Sequence, residues 1–217
     1  MRTHKLNTAT TLLAAIYCYC VAASAGAQQI GAGNGIPNDE LDIQGGPRLN
    51  VDRSNPAILA AGTYMATLFN FDAGMAGDVR PFLAVSTGTN QYQAIAVGNT
   101  NVFAAAMLDA TLPFGGAAVF TLAAPTTVFA GITSSTNNPI FLDNLAGLTD
   151  HEGNGQPASS YLVTLGATIP ADGSFSNPNL NRTYAFSVAV APIPEPSSIG
   201  LALLGGMGLL GIRRRAK

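Results

Sequence analysis

Large apolar side chains at Tyr184, Phe186, Val188 and Val190 alternate with the small residues Ala185, Ser187, Ala189 and Ala191. A two-residue period places the two sets on opposite faces of a strand. Apolar runs of similar length recur upstream at 62–71, 79–85, 92–97, 117–122, 126–133, 139–142 and 161–165, each bounded by Gly, Asn, Asp, Ser or Pro. Runs of this kind between turn formers predict strands. The stretch 101–108 reads as a further strand, although Ala104-Ala105-Ala106 would equally suit a short helix. The expected fold is all-β, an antiparallel two-sheet sandwich over 58–191, with a jelly-roll order preferred from strand number. Residues 28–57, rich in Gly, Asn and Pro, are expected as a loose leading segment with short pairing at 41–43 and 49–51.

The two ends carry a different pattern. Residues 1–27 combine Arg2 and Lys5, an apolar run at 12–23, and small residues at Ala25 and Ala27 ahead of Gln28. These are the three parts of a secretory signal, read by the secretion machinery and cut by signal peptidase after Ala27; Ala23-Ser24-Ala25 offers an alternative two residues earlier. As a signal helix the run reaches about 18 Å, short of a hydrocarbon core of about 30 Å. At the other end, 192–217, Pro192-Ile193-Pro194-Glu195-Pro196-Ser197-Ser198 precedes the uncharged span 199–212 and the basic tail 213–217 with Arg213, Arg214, Arg215 and Lys217. Prolines lack the backbone donor and bias their predecessors toward extended geometry, so the first part should be a stiff exposed strip. The span makes a short transmembrane helix of about 21 Å, a marginal anchor. Gly200, Gly205, Gly206, Gly208 and Gly211 weaken it further. Basic residues favour the cytoplasmic side, which leaves everything before Pro194 outside, in agreement with the signal at the other end.

Pro194-Glu195-Pro196, the serine pair, the Gly/Leu-rich span and the terminal arginines resemble the PEP-CTERM sorting signal in type and order. The resemblance implies an exported protein whose tail is read by an exosortase, an integral membrane processing enzyme of Gram-negative bacteria that commonly make extracellular polysaccharide. It implies an inner-membrane precursor with a periplasmic domain, then a place at the cell surface or outside the cell. Gly62-Thr63-Tyr64, Pro81-Phe82-Leu83-Ala84, Thr149-Asp150-His151 and 182–187 also resemble β-rich domains found ahead of other such tails, which implies a fold and no activity.

Charge narrows the partners. Between Gln28 and Ile193 there are four arginines and no lysine against eleven acidic residues, a net charge of −7. Such a body has no surface for neutralising phosphates, so nucleic acid is excluded as a partner. Cys18 and Cys20 both lie in the signal, so the mature chain can form no disulfide, and Tyr17 and Tyr19 exclude a lipoprotein cysteine.

Candidate chemistry is sparse. His151, the only histidine after the signal, sits in Asp150-His151-Glu152-Gly153-Asn154-Gly155, expected as a polar loop. Neither a cysteine, a Gly-x-Ser-x-Gly elbow nor a second histidine stands ready to build a nucleophilic or zinc site. Asp150, Glu152 and Asn154 mimic the start of a calcium loop, but Tyr161 occupies the place of its bidentate glutamate. Phe69, Phe71, Phe82, Phe120, Phe129 and Phe186 are expected in the core; Tyr92 and Tyr161 could form a sugar-stacking platform. The function expected is a surface or matrix protein without catalytic activity or cofactor, associated with extracellular polysaccharide. The rival readings are a calcium-stiffened carbohydrate-binding module, and a secreted glycan hydrolase using Asp150 and Glu152.

Overall fold

The computed structural model describes residues 26–33, 40–41, 47–135, 138–143, 147–152, 163–169, 177–179 and 182–194. The expected signal and transmembrane helices fall outside these residues. The strands run in chain order as β1 (Gln28–Ile30), β2 (Glu40–Leu41), β3 (Arg48–Asp52), β4 (Ala57–Leu59), β5 (Gly62–Ala73), β6 (Gly77–Gly88), β7 (Gln91–Val97) and β8 (Asn101–Phe103). They continue as β9 (Met107–Pro113), β10 (Val119–Leu122), β11 (Thr126–Ser134), β12 (Phe141–Asp143), β13 (Thr149–Glu152), β14 (Thr168–Ile169), β15 (Asn177–Asn179), β16 (Thr183–Tyr184) and β17 (Phe186–Pro192). No helix occurs among the described residues, and the registered pairings are antiparallel.

One sheet has the order β1-β17-β5-β10, with β9 also on β5. A larger sheet runs β14-β7-β6-β11-β3-β13-β15, and a small one runs β16-β12-β2. The two main sheets share one core: Ile30, Phe69, Phe71 and Phe186 come from the first, Leu83, Val128 and Ile132 from the second. A second apolar cluster, with Leu49, Val51, Phe82, Tyr92 and Ile169, is separate from the first and includes alternate residues of the same β3, β6 and β7. The larger sheet is therefore buried on both faces. This explains why Phe82, Leu83 and Ala84 are consecutive apolar residues and all fully buried.

Several local expectations change. The leading segment is built into the fold, because β3 is buried at all five positions and pairs with β11 and β13. The 101–108 run is two strands, with exposed Ala104, Ala105 and Ala106 between them and no helical turn. The described part of 161–165 is not a strand; Leu165 and Gly166 form a turn closed by the Ala167 N–H donating to the Thr164 carbonyl at 3.0 Å. The last strand is interrupted at Ala185, so Tyr184 pairs in the small sheet while Phe186 onward joins the first.

Candidate functional site

Where the sequence predicts a loop, Asp150, His151 and Glu152 lie in β13, with Asp150 opposite Val51, His151 opposite Asn50 and Glu152 opposite Leu49. Neighbouring β15 pairs with the other edge of β13. The Asp150 side chain is fully buried, and a carboxylate removed from water must be compensated by charge and hydrogen bonds. Arg53 Nη1 donates to Asp150 Oδ1 at 3.1 Å, and the Tyr92 hydroxyl donates to Oδ2 at 2.7 Å. Arg53 Nη1 also donates to Asn90 Oδ1 at 3.1 Å. The Arg53 side chain keeps 34% exposure while that of Asp150 has none, so the pair carries one charge from the surface into the sheet.

Tyr92 is buried, and burial first, then its hydrogen bond to Asp150 and that residue's charge, push its phenol pKa upward. It therefore remains a protonated donor. A buried tyrosine is no exposed platform, which corrects the expectation of sugar stacking at Tyr92; Tyr161 lies outside the described residues. The sequence also misses the partnership itself, since Arg53 and Tyr92 lie 97 and 58 residues from Asp150. Its one trace is that Arg53 is among only four basic residues of an acidic span.

A cation or reacting group at Asp150 would compete with Arg53 and Tyr92 for both carboxylate oxygens. Asn154, the third expected calcium ligand, lies outside the described residues. Among the described residues no three His, Cys, Asp or Glu gather as a metal centre requires. Nearby Asp52 is also buried; desolvation raises its carboxyl above the ordinary value, opposed by hydrogen bonds from Asn55 and Ser54. Its Oδ1 accepts the Ser54 N–H at 2.9 Å, and its Oδ2 accepts Asn55 Nδ2 at 3.1 Å.

The other site lies where the compact unit Gln28–Ala191 begins and ends. Gln28, the residue after the expected signal cut, opens β1 opposite Val190, and Ile30 stands opposite Val188. Asp72 donates its N–H to the Ala185 carbonyl at 3.0 Å, and Thr67 Oγ1 donates to that of Ala189 at 3.2 Å. β17 thus runs toward the Gly62 end of β5, and both ends of the unit leave side by side there. Ala27 and Gln28 are exposed, as are Pro192 and Pro194. Glu195, Pro196 and the arginines 213–215 lie outside the described residues.

The family model for the PEP-CTERM protein-sorting motif matches residues 192–215. The chain carries a PEP-CTERM sorting signal. This signal begins on the last residue of β17, so the sandwich ends where the address begins. A PEP-CTERM signal implies export and surface sorting through an exosortase, in line with what the proline triplet, span and arginines predict. No curated protein and no solved structure matches the chain.

Proposed function

We propose that this is a noncatalytic cell-surface or matrix protein, exported with its tail as a temporary membrane stop and then released or attached near extracellular polysaccharide. The observation that carries this reading is the sorting motif starting directly at the end of β17, with no linker domain between. Signal peptidase acts before Gln28, the span 199–212 halts in the inner membrane with Arg213, Arg214 and Arg215 inside, and the exosortase acts at Pro194-Glu195-Pro196. The domain it delivers is a jelly-roll sandwich. That reading is supported by the sheet orders β1-β17-β5-β10 and β7-β6-β11-β3, in which successive main strands alternate between the layers except for the β6–β7 hairpin. No cofactor enters this reading; Asp150, the candidate ligand whose side chain is described, already answers Arg53 and Tyr92.

The test is mass spectrometry of the protein from cell fractions of a host that makes an exosortase. The expected outcome is a wild-type chain that begins at Gln28 and lacks its terminal arginines. Replacing Pro194, Glu195 and Pro196 with alanine should leave the full tail on a membrane-bound chain. Identical processing of both proteins would overturn the proposal.

A further inference from the structure

Two connections between the main sheets lie at the end of the unit where both chain ends leave. One runs from Leu59 through Ala60 and Ala61 to Gly62; the other runs from Leu122 through Ala123, Ala124 and Pro125 to Thr126. Strand register holds them together, with Leu122 opposite Gly62 and Thr126 opposite Leu59. The turn between β6 and β7 reaches the same end, since Val85 stands opposite Val128. Ala60, Ala61, Ala123, Ala124 and Pro125 are exposed, neighbouring Ile58 is 73% exposed, and none of these connections contains a charged residue.

Acidic groups collect at the opposite end, which the pairing of Ala73 with Met107 marks. Asp72 accepts the N–H of Asp109 there, and Asp78, near the start of β6, accepts from Ser135 at 2.9 Å. A domain of net charge −7 is repelled by an anionic lipid surface unless its charges point away from it. These uncharged connections remove that obstacle, because bringing alanine and proline to an interface strips no ion of water. The ion beside them is the half-buried guanidinium of Arg53, bonded to Asn90, a cation that an anionic surface attracts. Six residues separate Pro192 from Ile199, a reach of at most about 25 Å even when fully extended.

We infer that the end formed by 59–62, 86–91 and 122–126 rests on the lipid bilayer while the sorting tail holds the chain there. The inference depends on the tail insertion proposed above. Alanine-rich connections offer little apolar area, so the contact is weak by itself and gains its occupancy from the short tether. Its effect is orientation: the acidic end faces outward, and the proline strip stays at the depth where an integral membrane enzyme works.

The test uses residues 28–217, the cysteine-free chain left once the signal is cut, in vesicles of phosphatidylethanolamine and phosphatidylglycerol. A fluorophore is placed on a single cysteine at Ala61 or, as the distal control, at Ala105, and lipids bearing a quencher report contact. Flotation with the vesicles checks the tail separately. The expected result is flotation, with quenching several-fold stronger at position 61 than at 105. Ala60→Asp combined with Ala124→Asp should bring position 61 down to the control without lowering the melting temperature. Flotation with equal quenching overturns the docking and leaves the tail reading intact, whereas failure to float overturns both. Protection at position 61 that grows with protein density and needs no quencher lipid would identify a second copy as the occupant, and would also overturn the docking.

Discussion

At Asp150 the energetic question is what an ionised group costs inside a sheet. Arg53 and the Tyr92 hydroxyl answer it together, so removing either partner leaves the carboxylate undercompensated. Tyr92→Phe deletes one donor and is expected to cost about 1–3 kcal/mol, read from the urea midpoint. Asp150→Ala strands a buried hydroxyl and a half-buried guanidinium, and should cost about 3–5 kcal/mol. Asp52 makes a pH prediction of definite sign. Its folded-state pKa lies above the ordinary 3.8 because it is buried. As pH rises from that value through the folded one, the unfolded carboxyl loses its proton first and stability falls. Urea midpoints should therefore decline with pH across this window in the wild type, and Asp52→Asn should lack that component. Asp150 stands out in the sequence as an acidic residue beside a lone histidine. Its partners do not: Arg53 follows β3, the neighbour of β13, and Tyr92 lies on β7, which β6, β11 and β3 separate from β13 in the sheet order, so no local pattern connects them.

Among the elements, β11 shows how tightly the larger sheet is built. A Cβ on Gly131 would collide with the Phe82 ring and stand 2.8 Å from the Asn50 carbonyl oxygen. The ring can turn, but the carbonyl belongs to the neighbouring strand and cannot. Gly131→Ala should therefore lower stability by about 1–3 kcal/mol in thermal or urea melts. Strands with a clear apolar period were legible: 62–71 and 126–133 become Gly62–Ala73 and Thr126–Ser134 with small extensions. β3 was legible only as short pairing at 49–51; that its polar Arg48, Asn50 and Asp52 are buried along with Leu49 and Val51 was not. All five are buried because a sheet covered on both faces has no solvent side. The 161–165 run misleads for the opposite reason. Its Val163 contributes to the second cluster, yet Leu165 is 56% exposed at a turn, so burial there is not matched by ladder pairing. The alanine triplet leaves strand and helix open because alanine has no side-chain periodicity to read.

The whole molecule is organised by where its addresses attach. The sorting signal was legible, because such a signal is linear and needs no fold to be recognised, and it implies export. The adjacency of the two ends was not, since only the pairing of Gln28 with Val190 brings them together. The same pairing has a consequence in time. β17 is made last, yet it sits in the interior of its sheet, with β1 on one side and β5 on the other. A chain ending at Arg182 lacks Phe186, Val188 and Val190, all fully or almost fully buried, and should give no cooperative melting transition. Ribosome and translocon deliver the polypeptide from its N-terminus, so β1 waits unpaired until nearly every residue has crossed. The jigsaw closes only when its final piece arrives, and that piece brings the shipping label with it.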